Sequence, residues 1–283
     1  MPENPDISIC IPTYNGGKFI AETIESVLGQ THRNFELIVS DDGSTDETLT
    51  IIHSFKDPRI TRVDSLSRVG AVANWNNSIR HAQADLVKLL CQDDLLYPNC
   101  IECEYELMQR PENRDAAFCF SLRDFVSPAG RKIVGRRMSK VDGHKHSKQE
   151  LLRKIVRSGG NPIGEPMAIT FRKDAQQRCG AFQGDYVIDL DMWSRLVEQG
   201  PALFLARRLS AFRIGETSWT ASLAKSQTTT VRNLSKKIIT ENPSMVRRSD
   251  YFLGCAVGLV RAPIRRVSSR AILFGDRFFR SAG

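Results

Sequence analysis

The chain has 283 residues, of which 41% are hydrophobic and 25% are charged. This is the composition of a globular protein rather than a disordered one, and the length suits one large domain or one domain with an appendage. The net charge is +8, and residues 241–283 carry much of it, with eight arginines against three acidic residues. A basic tail indicates an anionic partner surface, a membrane or a nucleic acid, with solvated surface charge as the plain alternative.

The sequence lacks the signals of export and of membrane spanning. No basic region followed by an apolar run begins the chain, so we expect no signal peptide. No stretch reaches the roughly 18 apolar residues that cross a bilayer. The seven cysteines are odd in number and scattered, which favours reduced thiols in the cytosol over a disulfide framework.

Strand and helix patterns alternate along the first 110 residues. Short apolar runs with helical periodicity between them predict strands at residues 7–11, 35–39, 60–63 and 86–90. This alternation is typical of an α/β domain in which helices cover a parallel sheet.

Three of these strands run into polar turns. The turns cover residues 12–17, 40–46 and 91–94, and together they bring Thr, Asn, Gly and five carboxylates to one edge of the sheet. Ligands of open α/β sheets bind outside the carboxyl ends of the strands. Clustered carboxylates repel one another unless a divalent cation lies among them, and oxygen ligands suit Mg²⁺ or Mn²⁺. We therefore predict a site for a metal-bridged diphosphate.

The second half of the chain is less regular. Strands are predicted at residues 116–121, 125–126, 168–171 and 203–212, and a helix at 186–199 carries Asp189 and Asp191 in its first turn. Residues 251–260 form an apolar run followed by arginines, too short to span a bilayer. Such a segment can lie in a membrane interface, or form a helix docked on the domain or on a partner subunit.

Several catalytic motifs are absent. The chain has no GxGxxG after its first strand and no GxxxxGK[ST], which argues against a dinucleotide oxidoreductase and a P-loop NTPase, and it has neither GxSxG nor HExxH. Cys100 and Cys103 form a lone CxxC pair without a second one. His144 and His146 are spaced like a ligand pair, but we interpret them as solvated because they lie in a lysine-rich stretch.

The motifs that are present carry a family resemblance. The runs ISICIPTYNGG, FELIVSDDGSTDET, SRVGAVANWN and LLCQDD resemble the N-terminal half of the family 2 glycosyltransferases with the GT-A fold. The resemblance covers residues 5–215 and is dense in 7–95. It implies an open, mostly parallel sheet flanked by helices, with a Rossmann-like nucleotide-sugar-binding half at 1–110 and an acceptor-binding half at 111–215. Residues 216–283 would be a basic, partly amphipathic helical appendage.

The resemblance also implies residues for the donor and the metal. The positions that match the nucleotide-sugar-binding residues of the family are Pro12, Thr13, Tyr14, Asn15, Asp42, Arg68 and Asp93. The Asp-x-Asp metal motif of the family falls on residues 91–93, where Cys91 replaces the first acid. Asp93 and Asp94 would then hold Mn²⁺ or Mg²⁺.

The acceptor side is implied by GDYVIDLDMW, which resembles the segment that carries the catalytic base. Asp189 is the base candidate, Asp191 is a second one, and Trp193 lies one turn later, where an acceptor would stack. Asn161 and Glu165 are acceptor-side candidates in the preceding loop. The position that often carries a metal-contacting histidine is Gly215.

The implied function is inverting transfer of a hexosyl group from a nucleoside diphosphate sugar, with UDP preferred, to an acceptor hydroxyl. The expected acceptor is a glycan or a lipid-linked glycan of bacterial cell-surface polysaccharide synthesis. The protein would then be cytoplasmic, with residues 241–283 contacting the inner membrane peripherally, and no nucleic acid would bind. Two alternatives remain: a degenerate module that binds nucleotide sugars without catalysis, and a nucleotidyltransferase, although the Gly-rich loop usual after the first strand of that class is missing.

Overall fold

One sheet and its covering helices make up the described part of the chain. The structure, a computed structural model, describes residues 3–65, 67–133, 142–184, 187–214 and 227–260. The strands are β1 Ile7–Thr13, β2 Phe35–Asp41, β3 Ile60–Asp64, β4 Leu86–Leu89, β5 Leu95–Leu96, β6 Phe118–Val126, β7 Lys132–Ile133, β8 His144–His146, β9 Ile169–Arg172 and β10 Ala202–Arg213. The helices are α1 Ile20–Leu28, α2 Thr48–Ser54, α3 Ala71–Arg80, α4 Cys100–Gln109, α5 Lys148–Ser158, α6 Lys173–Cys179, α7 Ile188–Leu196, α8 Gln227–Glu241 and α9, residues 248–260.

The strands follow the order β3-β2-β1-β4-β9-β6-β10-β5, with β7 beside β6 and β8 beside β10. Parallel ladders join β3, β2, β1 and β4, and a long parallel ladder joins β6 to β10. Between these two blocks β9 runs antiparallel to both of its neighbours. This confirms the predicted α/β class with an open, mostly parallel sheet.

The central strands are buried along their whole length. Every residue of β1, β2 and β4 is buried, because helices cover both faces of the sheet. Helices α1, α2 and α4 pack on one face, and α3, α5, α6 and α7 pack on the other. The near-continuous apolar runs of the sequence therefore mark these strands, and their ends converge on one edge.

The structure corrects several elements of the second half. Strand β6 is continuous where two strands were predicted, α7 is shorter than the predicted helix, and α6, β5, β7 and β8 were not predicted. The missed strands have two or three residues each, and their pairing depends on β6 and β10 rather than on local periodicity.

The C-terminal appendage is helical where it is described, in α8 and α9. Residues 215–226 and 261–283 lie outside the described residues, and with them the predicted domain boundary at 215, Gly215 and most of the tail arginines. In the described part of the chain, no helix is long and apolar enough to cross a membrane.

A buried ion pair joins the two halves of the sheet. Lys88 of β4 and Glu104 of α4 are fully buried, with 2.8 Å between the Lys88 Nζ and a Glu104 Oε2 atom. Burial opposes the charged form of Lys88, but Glu104 favours it, and the pKa of Lys88 lies above its ordinary value. The ammonium also donates to the carbonyls of Met167 and Ile169, so it ties β4 to the strand β9 of the acceptor half.

Replacing one partner of this pair should destabilise the fold strongly. Lys88→Met leaves the Glu104 carboxylate buried without its counter-charge, and we expect a loss of about 3–5 kcal/mol in the free energy of unfolding, measured by urea denaturation. The double variant Lys88→Met/Glu104→Leu should recover most of that loss. Lys56→Met, at an exposed lysine, is the control and should change stability by less than about 0.5 kcal/mol. A double variant no more stable than Lys88→Met would contradict the interpretation.

Candidate functional site

Gln92 connects the turns that follow β1 and β4. Its Oε1 accepts hydrogen bonds from Thr13 Oγ1 at 2.5 Å and from the Tyr14 amide at 2.8 Å, and its Nε2 donates to the Tyr14 carbonyl. Pro12 precedes these residues within the buried strand β1, opposite Ser40 of β2. Sequence reasoning missed Gln92, because it treated the middle position of the metal motif as a spacer.

Asn15 closes the β1 turn onto the β2 turn. It has a positive φ of 48°, a conformation that asparagine tolerates better than most residues. Its amide donates to Ser44 Oγ at 2.9 Å, and its Oδ1 accepts from the Thr45 amide at 2.9 Å. The two turns that were predicted to share the nucleotide therefore form one connected surface.

Asp42 holds the loop that carries Arg68. Its two carboxylate oxygens accept from the amides of Val69 and Gly70, at 2.6 and 2.9 Å. The Arg68 guanidinium then lies 4.2 Å from the centre of the Tyr14 ring. The structure thus brings Tyr14, Asn15, Asp42 and Arg68 together, with Asp42 acting on the loop backbone.

Asp93 and Asp94 lie in the turn after β4, and Asp94 is fully buried. Burial raises the pKa of both carboxyls, and the charge of Asp93 raises that of Asp94 further. Asp94 Oδ1 accepts from the Arg213 amide at 3.1 Å, while its buried Oδ2 has no hydrogen-bond partner among the described residues. A buried carboxylate oxygen without a partner fits a divalent cation, so the residues present are compatible with the predicted metal.

Arg213 is the other residue that sequence reasoning missed. Its guanidinium is buried, donates to the Asp93 carbonyl at 2.9 Å and to Glu22 at 2.6 Å, and lies over the Phe19 ring. It places one positive charge beside the two acids. An arginine directly after the apolar residues Ala211 and Phe212, at the end of a strand, was the signal that would have identified it, because a buried charge needs partners.

Cys91 takes the place of the first acid of the metal motif. Burial, followed by the charges of Asp94 and Asp93, raises the pKa of its thiol well above the ordinary value, and Asp189 and Glu165 add to the effect. The thiol is therefore harder to ionise than an ordinary cysteine, and this position offers no carboxylate. The same interactions show that the acids of the β4 turn lie close to the acceptor-side acids.

Asp189 lies in the first turn of α7, facing the loop before β9. Asn161 Nδ2 donates to its Oδ2 at 2.7 Å, and the Asn161 Oδ1 accepts from the loop amides of Ile163 and Gly164. Burial, with a further contribution from Glu165, raises the pKa of Asp189 to about 7. Glu165 itself pairs with Arg123.

The backbone immediately before α7 is strained. Val187, immediately before α7, has a positive φ of 48°. This conformation is costly for a β-branched residue, and such strain clusters at functional sites.

Two predicted site residues lie elsewhere. Trp193 is fully buried, donates from Nε1 to the Gly164 carbonyl at 3.1 Å and packs among aromatic rings, so the prediction that an acceptor stacks on it is wrong. Asp191 is bound to Arg195 at 2.8 Å and lies 3.5 Å from Lys237. Residues two apart on a helix point about 200° from each other, so Asp191 turns away from the side of Asp189 and is not a second catalytic candidate.

The interpretation of the histidine pair as solvated is confirmed for His144, which is exposed, and is wrong for His146. His144 and His146 lie on β8, and His146 is half-buried against the Phe120 ring rather than solvated. With Glu150 they form the compact group of possible metal ligands found among the described residues. The Glu150 carboxylate accepts from the Ser147 amide, where it caps α5, and this group lies on β8 and α5 rather than in the strand-end turns.

The family model for glycosyl transferase family 2 matches residues 8–178, more than half of the chain. The chain belongs to glycosyl transferase family 2. This family 2 glycosyltransferase is 30% identical to an uncharacterized protein of Mycobacterium tuberculosis over 75% of this chain and 68% of that protein. A putative glycosyltransferase of Bacillus subtilis, EpsE, is 27% identical over 71% of this chain and 69% of that protein. An uncharacterized glycosyltransferase of Rickettsia typhi is 37% identical, but the match spans only 35% of its length.

Solved structures confirm the GT-A fold of this family 2 glycosyltransferase. The S. aureus TarS 1–349 structure in complex with UDP-GlcNAc superposes with a TM-score of 0.66 at 17% identity, covering 90% of this chain and 71% of that one. The mannosyltransferase PcManGT from Pyrobaculum calidifontis, in complex with GDP-Man and Mn²⁺, has a TM-score of 0.61 at 14% identity, covering 96% and 85%. At these identities the likeness concerns the fold alone.

Removing the Gln92 side chain should loosen the connection between the β1 and β4 turns. We expect Gln92→Ala to lose about 1–2 kcal/mol of stability and to speed hydrogen exchange in residues 12–17, because the Tyr14 amide loses its acceptor. Gln83→Ala, at an exposed glutamine whose side chain makes no such bond, is the matched control. Unchanged exchange in residues 12–17 of Gln92→Ala would show that the turn is held by other contacts.

Proposed function

We propose that this transferase moves a hexosyl group from a nucleoside diphosphate sugar, with UDP as the preferred nucleotide, to an acceptor hydroxyl with inversion of the anomeric carbon. The observation that carries the proposal is the partly buried carboxylate of Asp189, which accepts a hydrogen bond from Asn161 at 2.7 Å and whose pKa is raised to about 7. A general base works best when its pKa lies near the working pH. Two structural neighbours were solved in complex with UDP-GlcNAc and with GDP-Man, which supports a nucleotide sugar as donor.

The donor nucleotide would lie on the surface formed by the β1 and β2 turns. Arg68 over the ring of Tyr14 offers a flat, cationic face, which suits both a base and a phosphate. Asn15 holds the two turns together, and Asp42 keeps the Arg68 loop in place. Asp42 would therefore act on the donor through the loop that carries Arg68.

Asp93 and Asp94 would hold a divalent cation, Mn²⁺ or Mg²⁺. The unpartnered, buried Asp94 Oδ2 supports this assignment. When bound, the cation supplies Lewis-acid stabilisation of the diphosphate as it leaves. The neighbour solved with GDP-Man and Mn²⁺ agrees with such a requirement. Because position 91 is a cysteine rather than an acid, most of the coordination would come from the diphosphate.

Asp189 would act as the general base. It takes the proton of the acceptor hydroxyl as that oxygen bonds to the anomeric carbon, while the bond from this carbon to the diphosphate oxygen breaks on the opposite face. Attack opposite the leaving group accounts for inversion. Asn161 orients the carboxylate through its 2.7 Å hydrogen bond, and the charge of Glu165 helps to keep the pKa of Asp189 high.

We further propose a glycan or lipid-linked glycan acceptor in the assembly of bacterial surface polysaccharide, with the enzyme at the cytoplasmic face of the inner membrane. The basic tail of residues 241–283 supports a contact with an anionic surface.

The replacement of the first acid by Cys91 favours the second candidate function, a module that binds nucleotide sugars without transferring the sugar.

Donor binding and metal dependence can be measured together. Thermal unfolding in the presence of UDP-, GDP-, CMP- and dTDP-sugars, each with Mn²⁺, Mg²⁺ or EDTA, should show a higher melting temperature for UDP-sugars with metal, because a ligand of the native state stabilises it. Asp93→Asn/Asp94→Asn should lose the metal-dependent part of the shift. No shift with any nucleotide would reject the proposed function.

Replacing the proposed base should abolish transfer and leave donor binding. We expect Asp189→Asn to lower kcat/KM about a hundredfold or more, whereas Asp191→Asn, which changes a carboxylate two residues away, retains most activity. In the wild type, kcat/KM should fall about tenfold per pH unit below pH 7, because the protonated carboxyl cannot accept the acceptor proton. Wild-type protein that binds donor at all pH values but transfers no sugar would identify the non-catalytic module.

The free energy of unfolding, measured as a function of pH, distinguishes a variant that has lost only the proposed base from one that has lost the fold. The pKa of Asp189 is raised in the folded state, so its charge opposes folding. The free-energy cost of ionising Asp189 in the folded protein is absent below about pH 4, grows as the pH rises to about 7 and is constant above pH 7. Asp189→Asn should therefore gain stability relative to the wild type over that interval, by up to a few kcal/mol.

A further inference from the structure

Helix α9 is docked on the domain through glycine. A Cβ atom placed on Gly254 would lie 1.9 Å from the Val156 carbonyl oxygen, and one placed on Gly159 would lie 2.3 Å from the Gly254 carbonyl oxygen. The backbones of α9 and of the end of α5 are therefore in direct contact, which no larger residue permits. Asp250, at the start of α9, adds ion pairs with Arg153 and Arg157 of α5.

The opposite side of α9 is apolar and exposed. The large side chains there are Phe252, 70% exposed, Leu253, 43%, and Leu259 and Val260, both 63%. On a helix these positions, with exposed Ala256, fall within about 120° of one another and face away from the two glycines. We call this set the α9 apolar face. Among the described residues, Val69 is the other large hydrophobic side chain that is exposed.

Positive charge flanks the α9 apolar face at both ends in the sequence. Arg247 and Arg248 are exposed where the helix begins. Directly after residue 260 the sequence continues with Arg261, Arg265 and Arg266. An apolar stripe between clusters of arginine is complementary to a surface that offers both acyl chains and anionic headgroups.

The position of α9 relates this face to the acceptor side. Gly159, the residue that α9 contacts, lies two residues before Asn161, which donates to Asp189. The apolar face is thus held on the same segment that orients the proposed base.

We propose that the α9 apolar face is the docking surface for an anionic phospholipid bilayer. This deepens the proposed function and rests on it for the acceptor: a bilayer at α9 presents lipid-linked acceptors to Asp189. Binding would insert Phe252 and its apolar neighbours below the headgroups, while Arg247 and Arg248 at the start of α9 contact lipid phosphates. The glycine contact with α5 keeps the catalytic domain in one orientation on the membrane.

Vesicle co-sedimentation of the full chain tests the surface. We expect binding to vesicles of phosphatidylcholine with phosphatidylglycerol, weaker binding to phosphatidylcholine alone, and a decrease with added salt. Phe252→Asp/Leu259→Asp should lower the affinity about tenfold or more, because two apolar side chains no longer enter the interface. Asn233→Asp/Thr240→Asp is the matched control, since it adds the same two charges at exposed positions of α8 without removing an apolar side chain.

Each outcome decides the proposal. Equal vesicle binding by both double variants, or no binding by the wild type, overturns it. A concentration-dependent dimer that is lost in Phe252→Asp/Leu259→Asp, without vesicle binding, would assign the face to a second copy of the chain and also overturn it. The nucleotide-dependent thermal shift is measured on the same samples, so failure of the donor site and failure of the membrane surface are seen separately.

Discussion

The buried pair between Lys88 and Glu104 is the interaction on which the arrangement of the site depends. Two charges without access to water need every available partner, and the Lys88 ammonium takes the carbonyls of Met167 and Ile169 in addition to Glu104. Lys88 lies three residues before Cys91, and Met167 lies two residues after Glu165. Satisfying the buried charge therefore brings the turn after β4 next to the loop of the acceptor half.

Desolvation also gives the site its chemistry. Asp94 is fully buried, and Asp93, Cys91 and Asp189 are partly buried. Removal from water is the main cause that raises the pKa values of all four groups. A carboxylate in water would be too weak a base to remove an acceptor proton near neutral pH. Specific hydrogen-bond donors offset the free-energy cost of removing these carboxylates from water: Asn161 for Asp189, and the Arg213 amide for Asp94.

Membrane contact and catalysis would share one structural segment. Helix α5 ends at Gly159, where α9 is docked, and the loop that follows holds Asn161 against Asp189. This continuity gives a physical reason for glycine at position 254 of α9. A helix that approaches another backbone so closely cannot shift without disturbing the loop that orients the proposed base.

The sequence by itself determined the class of the fold and which turns meet at one edge of the sheet. Buried strands read as apolar runs, and the turns after β1, β2 and β4 follow such runs directly, so local pattern sufficed to place Tyr14, Asn15, Asp42 and the two acids at that edge. Only the tertiary structure showed that Trp193 fills the core and that Asp191 turns toward α8. It also decided the roles of Gln92 and Arg213, because their partners lie about 80 to 190 residues away in the chain. Burial and long-range hydrogen bonding depend on which elements meet, and no periodicity of a single segment records that.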